Sequence, residues 1–213
     1  MAYTKRNDFP GELPLHKTQY CFICHSVQVT KQNNDIVTYH CSSCGETSGR
    51  VFIYDPKMAQ YFDEDLNLVH TSAGMIIINP ENMVLLFLRR KYPYLYTIPA
   101  GHIETGEIPQ TAAVRETLEE VGVTVKNERL AFEGMVRGDE CLGGADIHFW
   151  YLYISLIDST EMPVLDEEGS TFGWFSIDTL PPNMTYPVKF FLEKEDILRK
   201  LQDIRKSSRV PLY

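Results

Sequence analysis

Nothing in this chain is long and apolar enough to cross a bilayer. Runs such as MIII from Met75 and MVLLFL from Met83 fall far short of the roughly 20 residues a membrane helix needs. The amino-terminal stretch MAYTKRNDFPGELPLHKTQ has no apolar core of the kind a signal peptide requires. A cytoplasmic location with no membrane partner is therefore the expectation. Positive charge is also scarce: 20 Lys and Arg against 29 Asp and Glu leave a net charge of -9. That balance argues against a nucleic-acid partner gripped through its phosphates, and an anionic small molecule would need a bridging cation. Internal repeats and low-complexity segments are absent. Cysteine is sparse and odd in number, five in all, which does not suit a disulfide framework.

What is present is enough for a full core: 213 residues, 44% hydrophobic and 12% aromatic, a length that suits one ordinary domain plus a small module. The cysteines mark the module. Cys21 and Cys24 in YCFICHS, then Cys41 and Cys44 in YHCSSCGE, give two C-x2-C pairs separated by sixteen residues. Each pair turns two thiolates towards one ion, and four thiolates close a tetrahedral shell with no open position for chemistry. A structural Zn2+ is the reading, with redox sensing or docking of nucleic acid or protein as alternatives. Between the pairs, Val27, Val29, Ile36, Val37 and Tyr39 flank a polar NND turn and predict a hairpin. So small a unit cannot bury enough surface alone, so metal should hold it together. His25 and His40 adjoin ligand cysteines and read as supporting or surface side chains. Gly45 suits the tight backbone after the last cysteine. Cys141, in GDECLGG, stands apart from any activating partner in sequence and reads as a free thiol, the alternative being a nucleophile.

From His70 onward the pattern changes. SAGMIIINPENMVLLFLRR predicts a hairpin across NPEN, YLYTIPAG a third strand ending at proline, and RLAFEGMVRG, IHFWYLYISLI and FGWFSIDTL further strands. VKFFLEKEDILRKLQDIRK predicts one amphipathic helix through Phe190, Phe191, Ile197, Leu198, Leu201 and Ile204. The expected organisation is an extension (1–18), a zinc ribbon (19–50), a linker or edge strand (51–69) with an acidic turn at 63–65, a main domain (70–206) and a tail (207–213). Strands, a helix, more strands and a closing helix indicate an α/β or α+β domain packed around a sheet.

The helix lies in TAAVRETLEEVGV. Thr111 is a plausible cap, Ala112, Ala113, Val114, Leu118 and Val121 form an apolar stripe, and Gly122 is placed to end it. Glu116, Glu119 and Glu120 then fall at i, i+3 and i+4 on one face. Crowded carboxylates repel one another, and a divalent cation with hard oxygen ligands, Mg2+ or Mn2+, would remove that penalty. A solvated acidic face is the plain alternative. The full spacing is Gly101, five residues, Glu107, seven residues, Arg115-Glu116, two residues, Glu119-Glu120, one residue, Gly122. It resembles the Nudix box, the metal-binding loop-helix-loop of the Nudix hydrolases, with Thr117 where that family usually has a large aliphatic. The resemblance covers about 70–180.

The resemblance implies a Nudix α/β/α sandwich with a mixed sheet, and hydrolysis of a nucleoside diphosphate linked to another group X. By position, Glu116, Glu119, Glu120 and the carbonyl of Ala100 would bind the metal. Arg115 would hold a box carboxylate in register, and Glu107 would support the loop. Glu168 or Glu167 would supply the base, ahead of Asp139 and Glu140. Arg89, Arg90 and Tyr94 are candidates to touch substrate, with ordinary surface positions as the alternative, and Tyr96 reads as core. A zinc ribbon ahead of such a domain resembles the NADH pyrophosphatase group, but that group's SQPWPFPxS segment is missing here. X therefore stays open among ADP-ribose or nucleotide sugars, NADH, dinucleoside polyphosphates and nucleoside triphosphates. A homodimer is implied by the layout. The alternative to an enzyme is a nucleotide sensor whose ribbon contacts nucleic acid or protein.

Overall fold

The computed structural model describes residues 14–33, 37–64, 67–139, 141, 143–145, 147–157 and 162–207. Ile36, Asp65, Glu140, the side chain of Ile204 and both chain ends lie outside them.

The cysteine module is built from two small sheets. β1 (Thr18–Cys21) pairs antiparallel with β5 (Val51–Tyr54), while β2 (Val29–Asn33), β3 (Val37–Cys41) and β4 (Thr47–Ser48) form a three-stranded sheet. The expected hairpin is β2–β3, with Val29 opposite Cys41 and Asn33 opposite Val37. Its apolar positions are unequal: Tyr39 is buried, whereas Val27 is exposed. The two cysteine turns are near copies of one another. His25 and Gly45 each follow a second cysteine in left-handed backbone, with φ of 58° and 78°. Each donates its N–H to the carbonyl of the first cysteine, at 3.0 and 2.9 Å. Tyr20 and Phe52 meet edge to face and pack on Leu68, joining the module to the main sheet.

That sheet has eight strands among the described residues. Its spine is β7 (Leu68–Ile78), whose one edge runs parallel to β12 (Ile147–Leu156) for its whole length. The other edge is shared in turn by β6 (Gln60–Phe62) along Leu68–His70, β10 (Ala100–His102) along Ser72–Gly74, and β8 (Val84–Arg89) at Ile78. The expected NPEN turn closes the β7–β8 hairpin, Asn79 donating to Met83 O at 3.1 Å. The stretch expected as linker or edge strand thus supplies both β5 and β6. YLYTIPAG is two strands rather than one. β9 (Tyr96–Thr97) pairs with β8, and the chain crosses to β7 as β10 beyond Pro99, which has no N–H to donate. Gly74 is needed where β10 approaches, since a Cβ there would lie 2.9 Å from that of Ala100. β11 (Arg129–Arg137) and β13 (Gly169–Phe175) complete the sheet on β12 and β8.

Both faces are covered, so the central strands read as unbroken apolar runs. Ile76, Ile78, Val84 and Leu86 point into one core and Met75, Ile77, Leu85 and Phe87 into the other. The second core lies under α1 (Pro109–Val121), through Ala112, Ala113 and Val121. This helix begins at Pro109 in the first-turn position rather than with Thr111 as cap, because proline's fixed φ and missing N–H are tolerated there. Gly122 ends it as expected, at φ 66°. Leu118, placed on the apolar stripe by sequence, is 54% exposed, and Thr117 is fully buried instead, its hydroxyl donating to Ala113 O at 2.7 Å.

The first core lies under two helices where the sequence indicated one: α2 (Tyr186–Leu192) and α3 (Glu195–Ser207). On a continuous helix Ile197 would sit about 140° around the axis from Leu192. The break at Glu193–Lys194 turns both onto the sheet, with Val188, Phe191, Leu192, Ile197 and Leu201 all buried. Phe191 is the centre, its ring 5.3 Å from those of Trp150 and Phe132. Phe191→Ala should lower unfolding stability by about 3–5 kcal/mol, measured by urea denaturation; a loss under about 1 kcal/mol would contradict this role.

Candidate active site

The helix α1 and the loop before it assemble an acidic corner. Arg115 is the organiser. Its Nε and Nη2 donate to the two oxygens of Glu107, both at 2.9 Å. Its Nη1 reaches Glu116 Oε1 at 2.6 Å and Glu119 Oε2 at 3.2 Å. Nη2 also donates to the carbonyl of His102 at 3.3 Å. The guanidinium holds Glu107 below the usual carboxylate range, and Glu107 in turn accepts the Glu104 N–H at 3.0 Å. Glu120 lies deepest, 6% exposed, its Oε2 accepting the N–H of Ala100 at 2.8 Å. Burial pushes Glu120 up to about 8, and burial also raises Glu116 against the opposing pull of Arg115. Gly101 is required by contact: a Cβ there would fall 2.2 Å from Glu116 Cδ.

One guanidinium among four carboxylates leaves the corner negative, and burial makes two of the four, Glu116 and Glu120, resist ionisation. A hard divalent cation fits that donor set. Glu116, Glu119, Glu120 and Ala100 all line one cleft of about 790 Å3. Its other walls are cationic or mixed, with Lys17, Lys57, Arg89 and Lys91 beside Tyr92, Asp166 and Glu168.

The remaining expected residues divide. Arg89 lines the cleft, whereas Arg90 and Tyr94 do not. Glu168 lines it and is ion-paired with Lys91, while Glu167 is exposed outside it. Asp166, not singled out from sequence, faces the cleft and accepts the Glu168 N–H at 2.8 Å. Asp139 is buried and accepts the indole N–H of Trp150 at 2.7 Å; Glu140 lies outside the described residues. Tyr96 packs in the core beside Phe175, as expected.

The four ribbon cysteines converge. Cys21 and Cys44, and likewise Cys24 and Cys41, have sulfurs 3.7 Å apart. A tetrahedral zinc with Zn–S near 2.3 Å has edges of about 3.8 Å, so the donor set fits that ion. Cys141 is not the lone thiol that its sequence neighbourhood indicated. It meets His70, His102 and His148, with one ligand atom from each of the four within 4.8 Å of the others. No local spacing signals this group, because its members come from three strands and a loop.

A family model described as the NUDIX domain matches residues 68–194. The chain belongs to the Nudix family. It is 29% identical over 169 residues to a protein of Chromobacterium violaceum named NAD-capped RNA hydrolase NudC, a match that covers 78% of this chain and 53% of that protein. A Pseudomonas aeruginosa protein of the same name is 27% identical over 199 residues, covering 85% of this chain and 67% of that one. The chain spans about half the length of the first of these relatives. Among solved structures, the MutT NUDIX hydrolase of Burkholderia pseudomallei aligns with a TM-score of 0.49 at 23% identity, over 60% of this chain and 98% of that one.

Glu120 gives a pH signature. Its folded pKa near 8 lies above the ordinary 4.5. Its contribution is therefore fully present below the ordinary value and is lost as pH rises through 8. In metal-free protein the melting temperature of wild type should fall relative to Glu120→Gln between pH 5 and pH 8.5, and Mg2+ should remove the difference. Parallel profiles without metal would refute this.

Proposed function

We propose that this Nudix protein hydrolyses the diphosphate of a nucleoside diphosphate linked to another group, with Mg2+ or Mn2+ held by Glu116, Glu119, Glu120 and the carbonyl of Ala100. The observation that carries the reading is the convergence on one cleft of three glutamates, Glu116 and Glu119 held by Arg115 and Glu120 by the Ala100 N–H, with Arg89 and Lys91 lining the same cleft. When bound, the metal would neutralise the diphosphate and lower the pKa of the attacking water.

The chain's own residues supply the rest. Arg115 and Gly101 hold Glu116 in one orientation, so the carboxylates need no rearrangement to receive a cation. Arg89 and Lys91 are placed to take the phosphate oxygens not engaged by metal. Glu168 is the base best placed, since it faces the cleft where Glu167 does not, and Asp166 fixes its backbone through the 2.8 Å contact. A second reading for that base is Asp166 itself, which also lines the cleft.

The names of the two NudC relatives favour an adenine dinucleotide of the NAD type as substrate, and the net charge of -9 favours the free dinucleotide over a long RNA. The four ribbon cysteines are proposed to hold Zn2+ as a structural element, their 3.7 Å separations being those of a tetrahedral thiolate shell.

The test is a phosphatase-coupled phosphate-release screen with Mg2+ and with Mn2+ across NADH, ADP-ribose, nucleotide sugars, dinucleoside polyphosphates and nucleoside triphosphates. Turnover of a dinucleotide, reduced about a hundredfold or more in Glu119→Gln and abolished by chelation of Mg2+, is the expected result. Nucleotide binding without turnover by folded wild type would replace the enzyme with a sensor.

A further inference from the structure

The same cleft is also lined by four side chains that the proposed hydrolysis does not use. His70 sits on β7, and His148 is its direct partner on the parallel strand β12. His102 comes from β10 on the other edge of β7, opposite Ser72, so its side chain shares the face of His70 by the period of two. Cys141 reaches the same point from the loop between β11 and β12. We propose that His70, His102, His148 and Cys141 form a second transition-metal site, a three-histidine, one-cysteine centre that takes Zn2+.

The separations are those of a metal shell. His70 Nδ1 and His102 Nε2 lie 3.2 Å apart, and Cys141 Sγ lies 3.7 Å from His70 Nδ1. Tetrahedral zinc with Zn–N near 2.05 Å and Zn–S near 2.3 Å has edges of about 3.3 Å between nitrogens and about 3.6 Å between nitrogen and sulfur. The fourth ligand atom, from His148, lies within 4.8 Å of the others. The donor chemistry is that of zinc rather than magnesium: imidazole and thiolate are poor ligands for a hard ion that favours oxygen. A carboxylate also lies close by: Asp139 Oδ2 is 3.3 Å from His148 Nδ1 and accepts from the Trp150 indole at 2.7 Å. Binding displaces the thiol proton of Cys141 to solvent, so the ion and thiolate carry one net positive charge, which Asp139 balances.

Four protein ligands close the shell, so the ion is structural. It ties together β7, β10, β12 and Cys141 in the wall of the cleft. Through β10 it fixes Ala100, and hence the hydrogen bond to Glu120. The assignment does not depend on the hydrolase reading, since it concerns what the four side chains hold.

The experiment uses the full chain, stripped of metal by a chelator and titrated with Co2+, with excess Mg2+ filling the carboxylate corner. Wild type should bind two strongly absorbing equivalents. One, with a four-thiolate spectrum, should be lost in Cys44→Ser. The other, with the charge-transfer band of a single thiolate, should be lost in Cys141→Ser and in His148→Ala while the first remains. A second equivalent that survives both of these variants would overturn the site. Wild type alone decides if a variant fails to fold: zinc content after purification from zinc-supplemented medium should be two per chain, and one per chain overturns the proposal.

Discussion

Arg115 spreads its donors over Glu107, Glu116, Glu119 and the carbonyl of His102, and the acidic corner exists in an ordered form because of it. Without that guanidinium, α1 would present neighbouring carboxylates to one another with nothing to separate them, and the loop carrying Glu107 would lose its tie to the helix. The same carboxylates drive the arginine's own pKa further upward, so the charge on which the corner depends is not at risk of titration. Under the proposed function, a cation entering the cleft would meet carboxylates already held in place, the condition under which electrostatic stabilisation acts without reorganisation.

The sheet supplies the platform for this corner by dividing one edge of β7 among three partners. An eleven-residue strand that paired with a single neighbour would leave no opening. Here β8 departs after the turn and β10 enters, and the backbone of Ala100–His102 comes to lie between α1 on one side and the histidine cluster on the other. Gly74 and Gly101 mark the two places where that insertion is tightest, one against Ala100 and one against Glu116.

How much of this could be read from sequence followed from how local each feature is. The four ribbon cysteines and the box glutamates are short-range patterns: two residues between ligands in a turn, three or four between positions on a helix face. Both converge in space as their spacing requires. The β7–β8 hairpin was legible for the same reason. The failures are long-range. One helix became two because Leu192 and Ile197 had to reach the same core, a demand set by the sheet and invisible in the local pattern. Thr117 lies inside and Leu118 outside because a satisfied hydroxyl can be buried, which a scale of hydrophobicity does not register. Among the loop acids, sequence ranked Glu168 and Glu167 together above the others, and it had no means of separating the cleft-facing Glu168 and Asp166 from the exposed Glu167. The meeting of residues 70, 102, 141 and 148 depends on strand order and register and has no trace along the chain.

The ribbon does more than precede the Nudix domain. Arg50 donates through Nε to Cys141 O at 2.9 Å and through Nη2 to Ala145 O at 3.3 Å, and Ile53 donates to Gly143 O at 2.9 Å. Gly144 lies so close to Phe52 that a Cβ would come within 3.0 Å of its Cα. The segment of the Nudix domain that carries Cys141 is therefore templated by residues outside the domain's own boundaries. Two units that appear modular in sequence are mutually dependent in structure, and neither could be exchanged between proteins as a free-standing part without bringing its half of that seam.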